Sequence, residues 1–262
     1  MIRLDKSAEG TEPTAAWAQI REGISSIATT TGDLAHAVAY GRAGLELARH
    51  NGDERTIGGL LSCLGSACLG DGIPTRARDY YEESLQIRRA MGDRTRTAMS
   101  LCVLGLCCVQ LEEYERGEAY LRDAEQTLRG AGGGLQAAAI HCAFAELALA
   151  TGDAGDAGGR LDSASELMVR SGAMTGVPGL LEQYACVAEM MGNAEKSVRL
   201  FLAAAGGRAR LACPARPWEE DTRGPFRERA EIAVGVESLV VLVAEGRKMP
   251  LRRALRYAKG EG

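Results

Sequence analysis

Small and apolar residues return along this chain with a period of 40 residues. Ala37, Ala77, Gly117, Ala157 and Ser197 form one series. Four residues further on lie Gly41, Tyr81, Leu121, Leu161 and Phe201, and three beyond those Gly44, Ser84, Ala124, Ala164 and Ala204. Twelve residues before the first series stand Ser25, Gly65, Gly105, Ala145 and Ala185, each preceded by a larger residue: Ile24, Leu64, Leu104, Phe144 and Tyr184. Positions four and seven apart share one face of a helix, so each period predicts two helices with a small–large–small stripe on the second. Five such units hold register without an insertion, which predicts stacked helix hairpins.

The punctuation agrees with this. Gly52-Asp53, Gly92-Asp93 and Gly152-Asp153 suit helix ends, since glycine adopts the left-handed closing conformation and aspartate caps the following helix. Pro74 falls at a helix entry, where its missing donor does little harm. The pairs Leu64-Gly65 and Leu104-Gly105 fall in mid-helix, where glycine costs about 1 kcal/mol relative to alanine. A close crossing of helices is the expected compensation. Composition supports all-α packing, because aromatics make up only 5% of the chain while alanine, leucine and glycine abound.

The run Leu61-x-x-Leu64-Gly65 … Ala77-x-x-x-Tyr81-x-x-Ser84 resembles the tetratricopeptide-repeat signature, and Leu101-x-x-Leu104-Gly105 … Gly117-x-x-x-Leu121-x-x-Ala124 repeats it. The usual unit is 34 residues; a 40-residue unit implies longer helices or connections. Units of this length resemble those in the C-terminal halves of large ATP-binding bacterial transcriptional regulators of the LuxR type, in antibiotic-pathway regulators and in peptide-pheromone receptors. Gly246-Arg247-Lys248-Met249-Pro250-Leu251 resembles the segment that closes the LuxR-type solenoids. The first and fifth units depart most from the pattern, Gly41 and Gly44 standing where a bulky and a small residue are expected. End repeats are commonly atypical because they cap the stack.

The predicted architecture is therefore an all-α, right-handed superhelix of tetratricopeptide type. It comprises a flexible tail over 1–13, five hairpins over 14–205, a Pro-containing loop over 206–225 with Pro214, Pro217 and Pro225, and capping helices over 226–262. A long helix is expected from Phe226 to Glu245.

Chemistry is mostly excluded. No G-x-x-x-x-G-K-[ST] loop, G-x-S-x-G elbow or H-E-x-x-H pair occurs, and Gly130, Gly132, Gly133 and Gly134 read as a flexible turn. The eight cysteines lie mostly in apolar helical stretches without a C-x-x-C pair, which predicts small buried hydrophobes in a reducing compartment. Cys102, Cys142 and Cys186 have no local basic neighbour, so their thiols are expected to keep ordinary pKa values rather than react. His36, His50 and His141 are far apart, so no metal or other cofactor is expected. His141 stands at an apolar position and reads as a packing residue. The sequence does not predict a membrane span, a catalytic constellation or a nucleic-acid-reading motif. Net charge is −4, yet Gly206 to Gly262 carries 12 Lys/Arg against 8 Asp/Glu, a basic stretch that reads as solvated surface or a docking element.

The remaining candidate site is the groove lined by the first helix of each hairpin. By resemblance to tetratricopeptide folds its lining comprises Leu69, Met99, Cys102, Leu106, Val109, Cys142, Glu146, Leu149, Glu182, Cys186 and Glu189. Apolar residues with three carboxylates and no Lys or Arg would suit a helix, peptide or small molecule bearing a cation. Trp17 and Trp218 flank the repeats, Trp218 as either an exposed contact or an anchor. These features predict a non-catalytic module that binds a protein or peptide, or a small-molecule effector, and the resemblance to LuxR-type solenoids implies that it belongs to a cytoplasmic bacterial transcriptional regulator. The competing expectations are a stand-alone, self-associating scaffold or a peptide-pheromone-type receptor module.

Overall fold

A computed structural model describes residues 15–131 and 133–261; the 1–13 tail and Gly132 lie outside the described residues. Ten helices pair into five hairpins, α1 (Ala15–Thr31) with α2 (Leu34–Asn51), α3 (Glu54–Gly70) with α4 (Pro74–Ala90), and α5 (Arg94–Gln110) with α6 (Tyr114–Leu128). Next come α7 (Gly134–Thr151) with α8 (Ala154–Ser171) and, after a 3-10 turn, α9 (Val177–Met190) with α10 (Ala194–Leu211). Three more helices follow: α11 (Pro217–Val234), α12 (Val236–Gly246) and α13 (Leu251–Lys259). Among the described residues there is no strand.

The 40-residue unit is two 20-residue modules of helix plus turn. Gly32, Gly52, Gly72, Gly92, Gly152, Gly172 and Gly192 all have φ between 66° and 83°. At the same spacing Glu112 (φ 60°) and Ala212 (φ 50°) adopt the left-handed conformation without being glycine. The next residue frequently caps the following helix: Asp33, Asp53, Asp93, Asp153 and Asn193 each accept a hydrogen bond from the backbone N–H three residues on. Each such cap contributes about 1 kcal/mol.

All residues of the three second-helix stripes are buried, as are those of the Ser25 series. The mid-helix glycines are filled from across the hairpin. A Cβ on Gly65 would lie 2.5 Å from the Tyr81 ring, and one on Gly105 would lie 2.6 Å from Leu121 Cδ2 and 3.2 Å from the Gly117 carbonyl oxygen. The first unit inverts this exchange. Gly41 and Gly44 leave room for Leu64 and Leu60 of α3, which would stand 2.8 and 2.9 Å from a Cβ there. The missing bulk is supplied by the neighbouring hairpin rather than lost.

Apolar α7 meets the length and composition of a bilayer-crossing helix, yet its side chains fill the cores shared with α5, α8 and α9. All eight cysteines are free thiols, each partly or fully buried. The ordinary pKa expected of Cys102, Cys142 and Cys186 is corrected: burial pushes Cys102 and Cys142 up to about 12 and raises Cys186 as well. His141 is partly buried and its Nδ1 has no partner among the described residues.

The C-terminal quarter departs from its expected boundaries. Most of 206–225 is helix: α10 continues to Leu211, and α11 begins at Pro217 and carries Pro225 inside it. Gly206 and Gly207 are helical because bulk arrives from outside; a Cβ on the first would lie 2.0 Å from the Arg247 carbonyl oxygen, and on the second 2.6 Å from Leu251 Cδ2. Arg210 adds hydrogen bonds to the carbonyls of Arg247 and Met249 at 3.0 and 3.1 Å. The long helix expected over 226–245 is broken at Gly235, whose φ of 79° and ψ of 161° are incompatible with a helical turn.

Candidate functional site

The first helices line an inner wall, α1 touching α3, α5 touching α7 and α7 touching α9, with α3 and α5 sharing a cluster of Leu69, Cys107 and Leu106. Helix α11 lies across that wall, touching α9 and α10 of the last hairpin and also α3 of the second. Such a span requires a stack curved around α11. The connection into α11 reaches further back. Pro214 Cγ lies 3.3 Å from a Cβ built on Gly32 in the α1–α2 turn, and Arg216 Cδ lies 4.0 Å from one on Gly70. Arg216 caps α11, with Glu219 Oε2 accepting its backbone N–H at 2.9 Å.

A buried ion-pair network fastens α11 to α7, α9 and α10. The Arg223 guanidinium, 6% exposed, donates to Glu146 Oε1, to Glu182 Oε2 at 2.6 Å and to the Gly179 carbonyl at 3.4 Å. Arg208 grips both Glu182 oxygens at 2.6 and 2.7 Å and donates to Glu219 at 3.1 Å. Burial would raise the Glu182 carboxyl, but the Arg208 hydrogen bonds and the Arg223 charge outweigh it and hold it below the usual carboxylate range. Burial likewise opposes charge on Arg223, and the carboxylates of Glu146, Glu219 and Glu182 reverse that effect, keeping it cationic. Nearer the surface, Arg229 pairs with Glu189 through two bonds of 2.7 and 2.9 Å and stacks over Phe226.

Between α11 and the inner wall is a cavity of about 380 Å³. Its wall includes Leu106, Val109, Leu149, Cys186, Trp218 and Phe226, with Glu146 and Arg223 of the network at one side. Five residues assigned to the groove from sequence thus meet at one cavity: Leu106, Val109, Glu146, Leu149 and Cys186. The others do not line it. Leu69 and Cys102 are buried, Leu69 in a cluster with Ala77 and Cys107 and Cys102 with its thiol 3.8 Å from the Ala139 carbonyl. Met99 and Cys142 are partly buried, and the Cys142 carbonyl accepts a bond from Gln183 of α9 at 2.9 Å. Glu182 and Glu189 sit beneath Arg208, Arg223 and Arg229.

The groove is therefore not an acidic surface awaiting a cation. Each of its three carboxylates meets an arginine of this chain, two of the three arginines carried by α11. Sequence reasoning missed these arginines because α11 was placed half in a loop. The available signal was the basic balance of 206–262 set against a carboxylate-bearing groove with no cation of its own. Trp218 is an anchor: it is buried against the cavity and its indole N–H has no partner among the described residues. No group of three potential metal ligands converges among the described residues.

The tetratricopeptide-repeat family profile matches residues 56–130, the second and third hairpins. No curated protein matches the chain by sequence. Among solved structures, a Rap protein complexed with Competence and Sporulation Factor is similar over 93% of this chain and 67% of its own, with a TM-score of 0.65 and 14% identity. The apo form of RapI is similar over 86% and 85% (TM-score 0.61, 12% identity). BtubC from P. vanneervenii is similar over 75% and 82% (TM-score 0.57, 20% identity). At these identities the likeness is one of fold, and by fold the chain is a tetratricopeptide-like α-solenoid with its own helix laid across the inner face.

Proposed function

We propose that this chain is a non-catalytic binding module that takes a protein or peptide in its inner groove, on the apolar stretch of α5 and α7 beside α11. The observation that carries this reading is the cavity walled by Leu106, Val109, Leu149 and Phe226. It leaves an apolar recess on the inner wall beyond the ion pairs that satisfy the groove's charges. The Rap protein solved with Competence and Sporulation Factor, a solenoid of similar fold with a bound factor, supports the same assignment. We place the module in a cytoplasmic bacterial transcriptional regulator. The support for that context is the resemblance of Gly246 to Leu251 to the closing segment of LuxR-type solenoids, together with its docking on Gly206 and Gly207.

The test is selection of binders to the full chain from a displayed peptide library, followed by affinity measurement on Leu106→Arg/Val109→Arg. Both positions are only partly buried, so the variant should fold. Loss of affinity by about tenfold or more is expected, as for truncating a central contact. Unchanged affinity rules the groove out.

One observation favours a second reading, self-association through the C-terminal end. Ile232, Val236, Val240 and Val241 are each more than half exposed. Light scattering over a dilution series, with Val240→Glu as control, decides this; a mass that stays monomeric at every concentration eliminates it.

A further inference from the structure

A cleft of about 570 Å³ runs between α13 and the second half of α8. Helix α13 packs on α9 and α10, with Ala254, Leu255 and Ala258 buried in the core they share. Toward the cleft it presents Arg252, Leu255, Arg256 and Lys259, which at spacings of three, four and seven share one stripe of the helix. Helix α8 faces them with Glu166, Val169 and Arg170, again one stripe. Val169 is 42% exposed and leaves an aliphatic surface open to the cleft.

Charge on these two stripes is not balanced. The lining holds Arg170, Arg252, Arg256 and Lys259 against Glu166 and Glu261. Both carboxylates turn to Lys259, at 3.7 and 3.0 Å, and the first of these contacts ties α13 to α8. Elsewhere Arg49, Arg89 and Arg199 each meet a carboxylate, whereas the guanidiniums of Arg170, Arg252 and Arg256 have no ion-pair partner among the described residues. Their placement works against the free chain. Arg252 and Arg256 are like charges one turn apart. Arg252 also stands in the first turn of α13, where the helix end is itself positive and no acidic residue is present. An anion in the cleft would relieve both effects.

We propose that the α8–α13 cleft docks an acidic segment of a partner protein, its carboxylates on Arg170, Arg252 and Arg256 and an aliphatic side chain against Val169. Guanidinium groups pair with carboxylates through two parallel bonds, and arginine is enriched among the residues that dominate protein interfaces. Three of them spread over two helices suit several carboxylates in a row better than one small anion. A lipid surface fits less well, because the apolar face of α13 is already buried. The cleft shares no residue with the cavity under α11, so this site stands apart from the inner groove.

The test is calorimetric titration of the full chain, at low salt, with the capped peptide Glu-Asp-Leu-Glu-Glu-Leu-Asp. Two comparison peptides carry amides in place of every acid, or serine in place of both leucines. Saturable binding of the acidic peptide is expected, about tenfold weaker for the amide peptide and about threefold weaker for the serine peptide. Arg252→Gln/Arg256→Gln should lower affinity about tenfold or more, and Arg170→Gln on the facing helix about threefold. Variants on separate helices guard against a folding defect in one. Arg42→Gln/Arg55→Gln removes the same charge from the first two hairpins and should leave affinity within about twofold. An equal loss in that control, equal binding of either comparison peptide, or no binding of the acidic peptide overturns the proposal. So does tighter binding, through the same arginines, of phosphatidylserine vesicles or duplex DNA, which would make the cleft a membrane or nucleic-acid contact.

Discussion

The five hairpins and the C-terminal helices are joined by different kinds of contact. In the stack the buried packing is apolar, and small residues face large ones, within a hairpin at Gly65 under Tyr81 and Gly105 under Leu121, and between hairpins at Gly41 and Gly44 under Leu64 and Leu60. The ion pairs that join successive hairpins, such as Arg49–Glu83 and Arg89–Asp123, lie at the surface. Helix α11 is fastened by guanidinium–carboxylate pairs instead, Arg223 to Glu146 and Glu182 and Arg229 to Glu189. Apolar complementarity is non-directional and tolerant, and it is repeated along the stack. A buried ion pair contributes little net stability when intact but is costly when one partner is removed. The stack is thus robust and periodic, while the position of α11 depends on a few side chains whose charges must be matched.

The most severe way to break that contrast is Arg223→Ala. It leaves Glu146 and Glu182 buried with fewer partners and should cost about 3–5 kcal/mol, measured by urea unfolding. Substituting Arg223→Met together with Glu146→Gln and Glu182→Gln should recover most of the loss, since no uncompensated charge remains. Acid should loosen the same contact more gently. Glu182 titrates below its ordinary 4.5 when folded, so the stability it contributes is present above that value and is lost as pH falls through the folded pKa. Trp218 emission should therefore change on acidification below about 4.5, and Glu182→Gln should flatten that response; emission independent of pH in the parent protein would speak against the linkage. On the apolar side, Gly65→Ala forces a methyl against the Tyr81 ring and strains the 2.6 Å bond between Ser66 and Tyr81. A net loss of about 1–2 kcal/mol is expected, overpacking exceeding the helix-propensity gain, and Tyr81→Leu in the same chain should relieve part of it. The smallest effect is a gain. Glu112 occupies a left-handed turn position that seven other modules fill with glycine, so Glu112→Gly should raise stability by up to about 1 kcal/mol in thermal unfolding.

The repeats were legible in the sequence because their information is local and recurs. Ala77, Gly117 and Ala157 announce the same environment three times, and all three prove fully buried beside their partner helices. The Gly-Asp steps announced the turns for the same reason. The groove was legible in part: Leu106, Val109, Glu146, Leu149 and Cys186 do meet at one cavity, but whether they hold a ligand was no more readable than which residues they face. That second question depends on Arg223 reaching Glu146, 77 positions away in the chain, and on α11 crossing back to α3. Such pairings occur once and leave no periodic trace. Pro214, Pro217 and Pro225 also misdirected the reading, because proline at a helix start or in a bent helix leaves the same mark as a loop.

The most direct test of the ion-paired placement of α11 is amide hydrogen exchange on Arg223→Ala under native conditions. Loss of protection confined to Pro217–Val234 and the facing turns of α7 and α9, with α3–α6 unchanged, is the predicted result. Unaltered protection in α11 would mean the helix is held by something other than its arginines, and uniform loss along the chain would mean that stack and helix are not separable units.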